Sequence, residues 1–548
     1  MRYRECLGGP ARSETPCTHG TFPRGSREIP SSLAADGAAG RIGKAESYTP
    51  MMHDDGKSDR PVVPEKSPNK AGGSAAEAME ERGLTKGNTS KQNASRTQSR
   101  TRGARSELER VHRVARADRK QKFTALLHHV TVDRLRGAFF SLKRRAAPGV
   151  DGVTWQQYRE NLEPNLQGLH DRVHRGAYRA RPSRRSRIPK SDGRERLLGV
   201  AALEDKIVQK AVVEVLNAIY EADFLGFSYG FRPRRSQHDA LDALATAIQM
   251  KKVNWVLDAD IRGFFDAIDH GWLLKFVEHR IADKRILRLI QKWLTAGVME
   301  EGSWKRVKKG TPQGATLSPL LANIYLHYAL DLWVQQWRNR RARGEIIVTR
   351  YADDFVLGFQ HRGDALQFLG DLKERLRKFS LELHPSKTRL IEFGRFAATR
   401  RRERGLGKPE TFDFLGFTHI CGEMKHGRFL LLRHTMRGQI RAKLRSIQVE
   451  LQRRRHLPLP AQGKWLGSVV RGYFAYFAVP TNVHALQAFR TQVERHWRQA
   501  LRRRGQRDRT TWARMRILSA RWLPKPRILH PWPSTRFDGR TRGRSPVR

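Results

Sequence analysis

The chain has 548 residues, 106 of them Lys or Arg against 54 Asp or Glu, for a formal net charge of +52. Charge of that size describes partners rather than fold, and it suits a phosphate polymer bound by counterion release. It comes with no apolar run near the roughly 20 residues that span a bilayer, no hydrophobic segment behind Met1-Arg2-Tyr3-Arg4-Glu5 to act as a secretion signal, and only Cys6, Cys17 and Cys421, which excludes a disulfide framework and every Cys-pair zinc pattern.

Residues 1–105 are rich in Gly, Ser, Pro, Ala and charge without sustained periodicity, and are expected to form a largely disordered basic tail. From Ser106 to Phe140 the pattern turns helical, through Leu108, Val111, Val114, Phe123, Leu126 and Leu127.

Further on, Asn254–Ile261 is a short apolar run carrying Asp258 and Asp260. Side chains alternate along a strand, so the two acids share a face. An acid in an apolar strand is costly to bury unless it is paired or holds a metal. Asp260 is the candidate ligand and Asp258 the weaker claimant. Asp269 is placed to cap a helix that begins at His270.

Pro312, Gln313 and Gly314 precede a helix start. Ser318 is expected to cap it, Pro319 suits the first helical position, and Leu320, Leu321, Ile324 and Tyr328 follow at helical spacing. A Gly beside the Gln lets backbone and amide approach a base pair closely.

Glu345–Tyr351 and Phe355–Phe359 are strand-like runs around an acidic turn, which reads as a hairpin with Asp353 and Asp354 at its tip. Two like charges there repel unless a cation lies between them. Carboxylate oxygens are the ligands Mg2+ takes. The plain alternative is a solvated Asp-Asp turn. A pair of cations about 3.5–4 Å apart needs a further shared acid, and Asp260 is the one available.

Three amphipathic helices are expected near the end of the chain. Ile440, Leu444, Ile447 and Leu451 form one apolar face. Trp465, Leu466, Val469, Val470, Tyr473, Phe474 and Phe477 form a second. Val483, Leu486, Phe489, Val493, Trp497 and Leu501 form a third. The aromatics read as core, and the basic outer faces, with Arg437, Arg441, Lys443, Arg445, Arg498 and Arg502, as a surface suited to a nucleic-acid duplex. A short basic Pro/Gly tail follows Arg521–Pro531.

Taken in order, Asp260-Ile261-Arg262-Gly263-Phe264-Phe265-Asp266, Thr311–Tyr325 and Tyr351-Ala352-Asp353-Asp354 resemble the palm of a reverse transcriptase. Their wording is similar to that of the bacterial group II intron reverse transcriptase/maturase family. Arg145–Gly152, Arg187–Arg194, Phe227–Pro233, Leu383–Arg389 and Asp413–Phe417 resemble further blocks of that family, and the resemblance runs from about residue 120 to past residue 500. Leu197 departs from it, standing where the family typically has Pro.

The resemblance implies an α+β fold: a right-hand polymerase of fingers and antiparallel-sheet palm over residues 106–425, a helical thumb and maturase domain over 426–522, and a basic tail over 523–548. It implies that Asp260, Asp353 and Asp354, with the backbone carbonyl of Ile261, hold two Mg2+ ions, or Mn2+, for nucleotidyl transfer. Phe265 would exclude a ribose 2′-hydroxyl. Pro312, Gln313, Gly314 and Tyr351 would line the template–nucleotide pocket, with Lys190 and Arg194 on triphosphate or template and Lys387 near the primer.

The implied function is an RNA-directed DNA polymerase of a group II intron. It would bind intron RNA to assist splicing and mobility, and use an RNA template, a DNA primer, deoxynucleotides and target DNA. The implied setting is the bacterial cytoplasm, with the nucleoid as the site of work on target DNA, and no membrane. Relatives with a C-terminal His-Asn-His endonuclease carry cysteine pairs, which this chain lacks, so a primer from elsewhere is expected. The alternatives are an RNA-binding splicing factor with an idle polymerase site, and a retron, diversity-generating or defence-associated reverse transcriptase.

Overall fold

The computed structural model describes residues 107–541, apart from 190–194, 301, 313, 425 and 506–509. The expected N-terminal tail therefore lies outside the described residues, as do Lys190, Arg194 and Gln313. None of the described helices is long and apolar enough to cross a membrane.

The first sheet begins with a hairpin of β1 (Ser183–Pro189) and β2 (Glu195–Val200), paired from Arg184↔Val200 to Pro189↔Glu195. The ladder passes through Leu197↔Arg187 without a break. Two short strands, β4 (Val298–Glu300) and β5 (Ser303–Lys305), extend the sheet in the order β2-β1-β4-β5, with β4 parallel to β1. The long helix Leu203–Asp223 follows. It buries Ile207, Val208, Ala211, Val212, Val215, Leu216, Ile219 and Tyr220 along one stripe, and Glu204 and Asp205 sit in its first turn, where the helix dipole favours acids.

The central sheet is antiparallel throughout, in the order β6-β7-β3-β8. Its strands are β3 (Trp255–Asp260), β6 (Ile346–Tyr351), β7 (Asp354–Phe359) and β8 (Arg389–Glu392). Alternation divides its side chains between two apolar cores. Leu257, Ala259, Phe355 and Leu357 join the core built on the helix Leu203–Asp223. Val256, Val356, Ile347 and Ile391 join a second core, made with the helix Gln237–Met250 and the C-terminal helices. Asp258, Asp260 and Asp354 continue the Val256 and Val356 face toward the end of the sheet.

A third sheet, β11-β10-β9, comprises β9 (Phe412–Phe414), β10 (Phe417–Glu423) and β11 (Phe429–Thr435). Leu415 and Gly416, both at positive φ, make the two-residue turn between β9 and β10. Strands β10 and β11 pair from Phe417↔Thr435 to Glu423↔Phe429 and so form one hairpin.

The three expected helices are Arg437–Arg453, Leu459–Phe477 and Val483–Arg502. Most of their apolar faces are buried: Ile447, Leu451, Leu466, Val470, Phe474, Leu486, Phe489, Val493 and Trp497 are core, while Ile440, Leu444, Trp465, Val469 and Val483 are half-buried. The segment expected as a tail forms a further helix, Pro533–Thr541, and turns back onto the body. The amides of Leu529 and His530 donate to the Ala478 carbonyl, and Arg536 reaches Asp242 on the helix Gln237–Met250 at 3.3 Å. Asp242 also accepts from Arg433 of β11 at 2.7 Å. Pro and Gly hid this helix from the sequence, because its seat is a buried ion cluster and not an apolar stripe.

Buried imidazoles give the fold an acid limit, His327 and His419 among them. Burial pushes His327 and His419 down to about 3. A histidine depressed from an unfolded value near 6.5 contributes stability above that pH and loses it as the pH falls through the gap. Chemical denaturation at pH 5 against pH 7.5 should therefore show a loss of about 2 kcal/mol for each imidazole. His419→Phe, which stacks as His419 does on Phe412, should remove one share; a pH-independent midpoint in the parent would contradict the assignment.

Candidate active site

The acids are assembled by strand register. In the β3–β7 ladder Asp260 lies directly opposite Asp354, and in β6–β7 Asp354 lies opposite Tyr351, with Ala352 and Asp353 as the two-residue turn. Opposed residues in an antiparallel pair place their Cβ atoms about 5 Å apart. Two carboxylates from distant stretches thus share one face beside the Asp353 turn.

Lys387 arrives from the turn before β8 and donates from Nζ to Asp260 Oδ2 at 2.8 Å. That turn is itself pinned, since the His384 amide donates to the Asp260 carbonyl at 2.7 Å. Asp258 faces Arg389 of β8 instead, at 3.7 Å. Ile261, directly after β3, is buried and bridged to Leu383. Among the described residues no group of three or more His, Cys, Asp or Glu side chains forms a ready metal cage. The donors that do gather are hard carboxylate oxygens, the chemistry a divalent Mg2+ or Mn2+ takes. The Lys387 ammonium shows that Asp260 accepts a cation there.

Beyond β3 the chain makes a short turn holding Phe264 and Phe265, both buried. The Thr311 amide donates to the Phe265 carbonyl at 2.9 Å, and the Gly310 amide to the Ile268 carbonyl at 2.7 Å. The loop of Pro312 and Gly314 is thereby clamped to the Phe265 turn. Its other side meets β2: a Cβ on Gly314, at φ +108°, would lie 2.8 Å from the Gly199 carbonyl oxygen. Only glycine fits there. Ser318 does not cap the next helix, Ser318–Leu326. Its hydroxyl donates back to the Pro312 carbonyl at 2.9 Å, and the N-cap position falls to Leu317 without a side-chain bond. Asp269 does cap its helix, accepting from the Trp272 amide at 3.0 Å.

Tyr351 is half-buried, its ring centroid 6.5 Å from that of Phe231, and burial lifts its phenol to about 12. Among the basic candidates on the C-terminal helices, Arg437, Arg441, Arg445 and Arg502 are exposed and Lys443 is half-buried. Arg498 is committed internally. It donates to the Thr510 carbonyl at 3.0 Å and lies 4.6 Å over the Trp512 ring.

Sequence reasoning passed over Arg350, three residues before Asp353 and buried at 1% exposure. The signal was present: a charged residue in an apolar strand, the same argument that singled out Asp260.

Residues 188–419 match the family described as reverse transcriptase (RNA-dependent DNA polymerase). The chain is 38% identical over 247 residues to protein YkfC of Escherichia coli (strain K12), across 40% of this chain and 64% of that one. It is 34% identical over 258 residues to the group II intron-encoded protein LtrA of Lactococcus lactis subsp. cremoris, across 45% and 41%. It is 42% identical over 158 residues to an uncharacterized 91 kDa protein in the cob intron of Schizosaccharomyces pombe, across 29% and 19%. The chain therefore spans less than two thirds of the length of each of these relatives.

Proposed function

We propose that this chain, which carries a reverse transcriptase-family domain over residues 188–419 and is homologous to group II intron-encoded proteins, copies RNA into DNA for a group II intron and binds that intron's RNA. The observation that carries the reading is the register that sets Asp260 opposite Asp354 beside the Asp353 turn. Asp260, Asp353 and Asp354, with the Ile261 carbonyl, are the residues that would hold two divalent cations. Such ions activate a primer 3′-hydroxyl and offset charge on a departing pyrophosphate.

The chain's own residues position the rest. The clamped loop of Pro312 and Gly314 would face the templating base pair, with Phe265 beneath the incoming sugar and Tyr351 alongside; Gln313 is proposed for the same pocket. Lys190 and Arg194 would steady triphosphate or template, and Lys387 would lie between Asp260 and the primer. The exposed Arg437, Arg441, Arg445 and Arg502, with Lys443, would hold RNA phosphates on the thumb. The work would take place in the bacterial cytoplasm, on intron RNA and then on target DNA at the nucleoid. Deoxynucleotide incorporation on a primed RNA template with Mg2+, wild type beside Asp353→Asn, is the deciding experiment.

A narrower expectation concerns the sugar. Removing the Phe265 ring opens space for a 2′-hydroxyl, and steric discrimination of this size is worth about 1–3 kcal/mol. Phe265→Ala should therefore raise ribonucleotide over deoxynucleotide incorporation about 10–100-fold. Competing kcat/KM values would show it, and an unchanged ratio would make Phe265 a core residue only.

A further inference from the structure

We propose that Arg350 is the positioning residue of the acidic turn, holding Asp353 in place from behind and tying it to both other walls of the site; this rests on the polymerase reading above. Its guanidinium uses every N–H it has. Nε donates to Asp331 Oδ1 at 2.7 Å and Nη2 to Asp331 Oδ2 at 2.5 Å. Nη2 also donates to Ser228 Oγ at 2.7 Å, and Nη1 to Asn323 Oδ1 at 3.0 Å. The fifth bond runs from Nη1 to the carbonyl of Ala352 at 2.9 Å, the peptide oxygen directly before Asp353.

That last bond bears on geometry. Ala352 sits at φ +58°, in the left-handed region, without being glycine. Such a conformation costs about 1 kcal/mol or more and persists only where its surroundings impose it. Two neighbours do so. The Arg350 fork holds the carbonyl, and the Gly230 backbone presses on the other side, where an added Cβ would lie 2.2 Å from the Ala352 nitrogen. Gly230 is itself held, since Asn323 Nδ2 donates to its carbonyl at 2.7 Å. The backbone agrees: the Tyr229 amide donates to the Arg350 carbonyl at 2.8 Å, and the Arg350 amide to the Phe227 carbonyl at 2.9 Å.

One buried cation thus joins three pieces of the site. They are the Phe227–Gly230 turn, the helix Ser318–Leu326 that follows the Pro312–Gly314 loop, and the acidic turn. Charge neutrality alone needs only Asp331. The bonds to Ser228, Asn323 and Ala352 are directional, and lysine cannot supply them from one point charge. A shift of about 1 Å in a reacting group costs about 100-fold in rate, so loss of the fork should appear in turnover more than in substrate binding.

The test compares wild type, Arg350→Lys, Ser228→Ala and Asn323→Ala at a temperature where all are folded by circular dichroism. Three quantities are read: kcat and KM for single-deoxynucleotide extension, Mn2+ affinity by electron paramagnetic resonance, and hydrogen exchange across residues 346–359. Arg350→Lys should lower kcat about 100-fold with KM within twofold, weaken Mn2+ at least fivefold and quicken exchange at the turn. Ser228→Ala and Asn323→Ala should move the same quantities less. A folded Arg350→Lys with kcat, Mn2+ affinity and exchange all within twofold of wild type overturns the proposal. If Arg350→Lys does not fold, the two milder variants decide it by the same limits. If the wild type incorporates no nucleotide, the polymerase reading fails, while Mn2+ affinity and exchange still decide the role of Arg350.

Discussion

Asp353→Asn is expected to reduce deoxynucleotide incorporation on a primed RNA template by about 10^3-fold or more, with binding of structured RNA kept within twofold. The substitution preserves size and removes one charge. At a tip where Asp353 adjoins Asp354, and Asp354 opposes Asp260 in register, that change relieves like-charge repulsion and leaves the fold intact. On the proposed reading, what it takes away is a hard anionic ligand. The proposed phosphate-binding surface is placed elsewhere, on a chain of net charge +52, so RNA affinity and its salt dependence should remain. Undiminished incorporation in the variant would remove the metal assignment from this turn. A wild type that binds RNA tightly and incorporates nothing would make the protein an RNA-binding splicing factor.

The second large effect is on stability. Trp497→Ala should destabilise the chain by about 3–5 kcal/mol, as truncation of a fully buried tryptophan does. Trp497 has 0% exposure, and its Nε1–H donates to Gln462 Oε1 at 3.0 Å. The two N–H groups of Gln462 Nε2 are in turn shared among the carbonyls of Arg454, Arg455 and Leu457, at 2.7, 3.0 and 3.2 Å. The end of one helix, the start of the next and the middle of a third therefore meet at one indole. Truncation leaves a cavity and strands a buried carbonyl oxygen, and both penalties act together. Since whole domains are stable by about 5–15 kcal/mol, thermal melts should show a drop of many degrees. Arg445→Gln on the exposed face should stay within about 0.5 kcal/mol. A loss below about 1 kcal/mol for Trp497→Ala would mean that the core of these C-terminal helices is organised around other contacts.

These two expectations differ in how they became visible. The acidic hairpin was legible because a β-branched run and an apolar run flank an acidic turn, although the turn proper is Ala352 and Asp353 and Asp354 opens β7 one residue earlier than expected; period-two alternation assigns Asp258 and Asp260 to one face. The three C-terminal helices were legible because their apolar residues recur every three or four positions, and most of those residues are buried. Local pattern is enough wherever the hydrophobic effect acts on a single element.

Arg350, the Lys387–Asp260 pair and the C-terminal helix were not legible in that way. Each depends on a charge meeting partners 19 to 294 positions away: Asp331 and Ser228 for Arg350, Asp260 for Lys387, Asp242 for Arg536. A sequence read locally shows that a buried charge needs a partner and does not say which one. Ser318 illustrates the same limit within six residues, since its hydroxyl chose the Pro312 carbonyl over the helix end.

By itself, then, the sequence determined which residues could carry the chemistry and which faces would be buried, because side-chain type and periodicity decide desolvation. The tertiary structure decided which acids stand opposite one another and what holds them there. That choice is made by β3 pairing with β7, by a glycine pressed against Ala352 and by one guanidinium whose five donors find five oxygens, all of them directional contacts that exist only once distant segments are packed together.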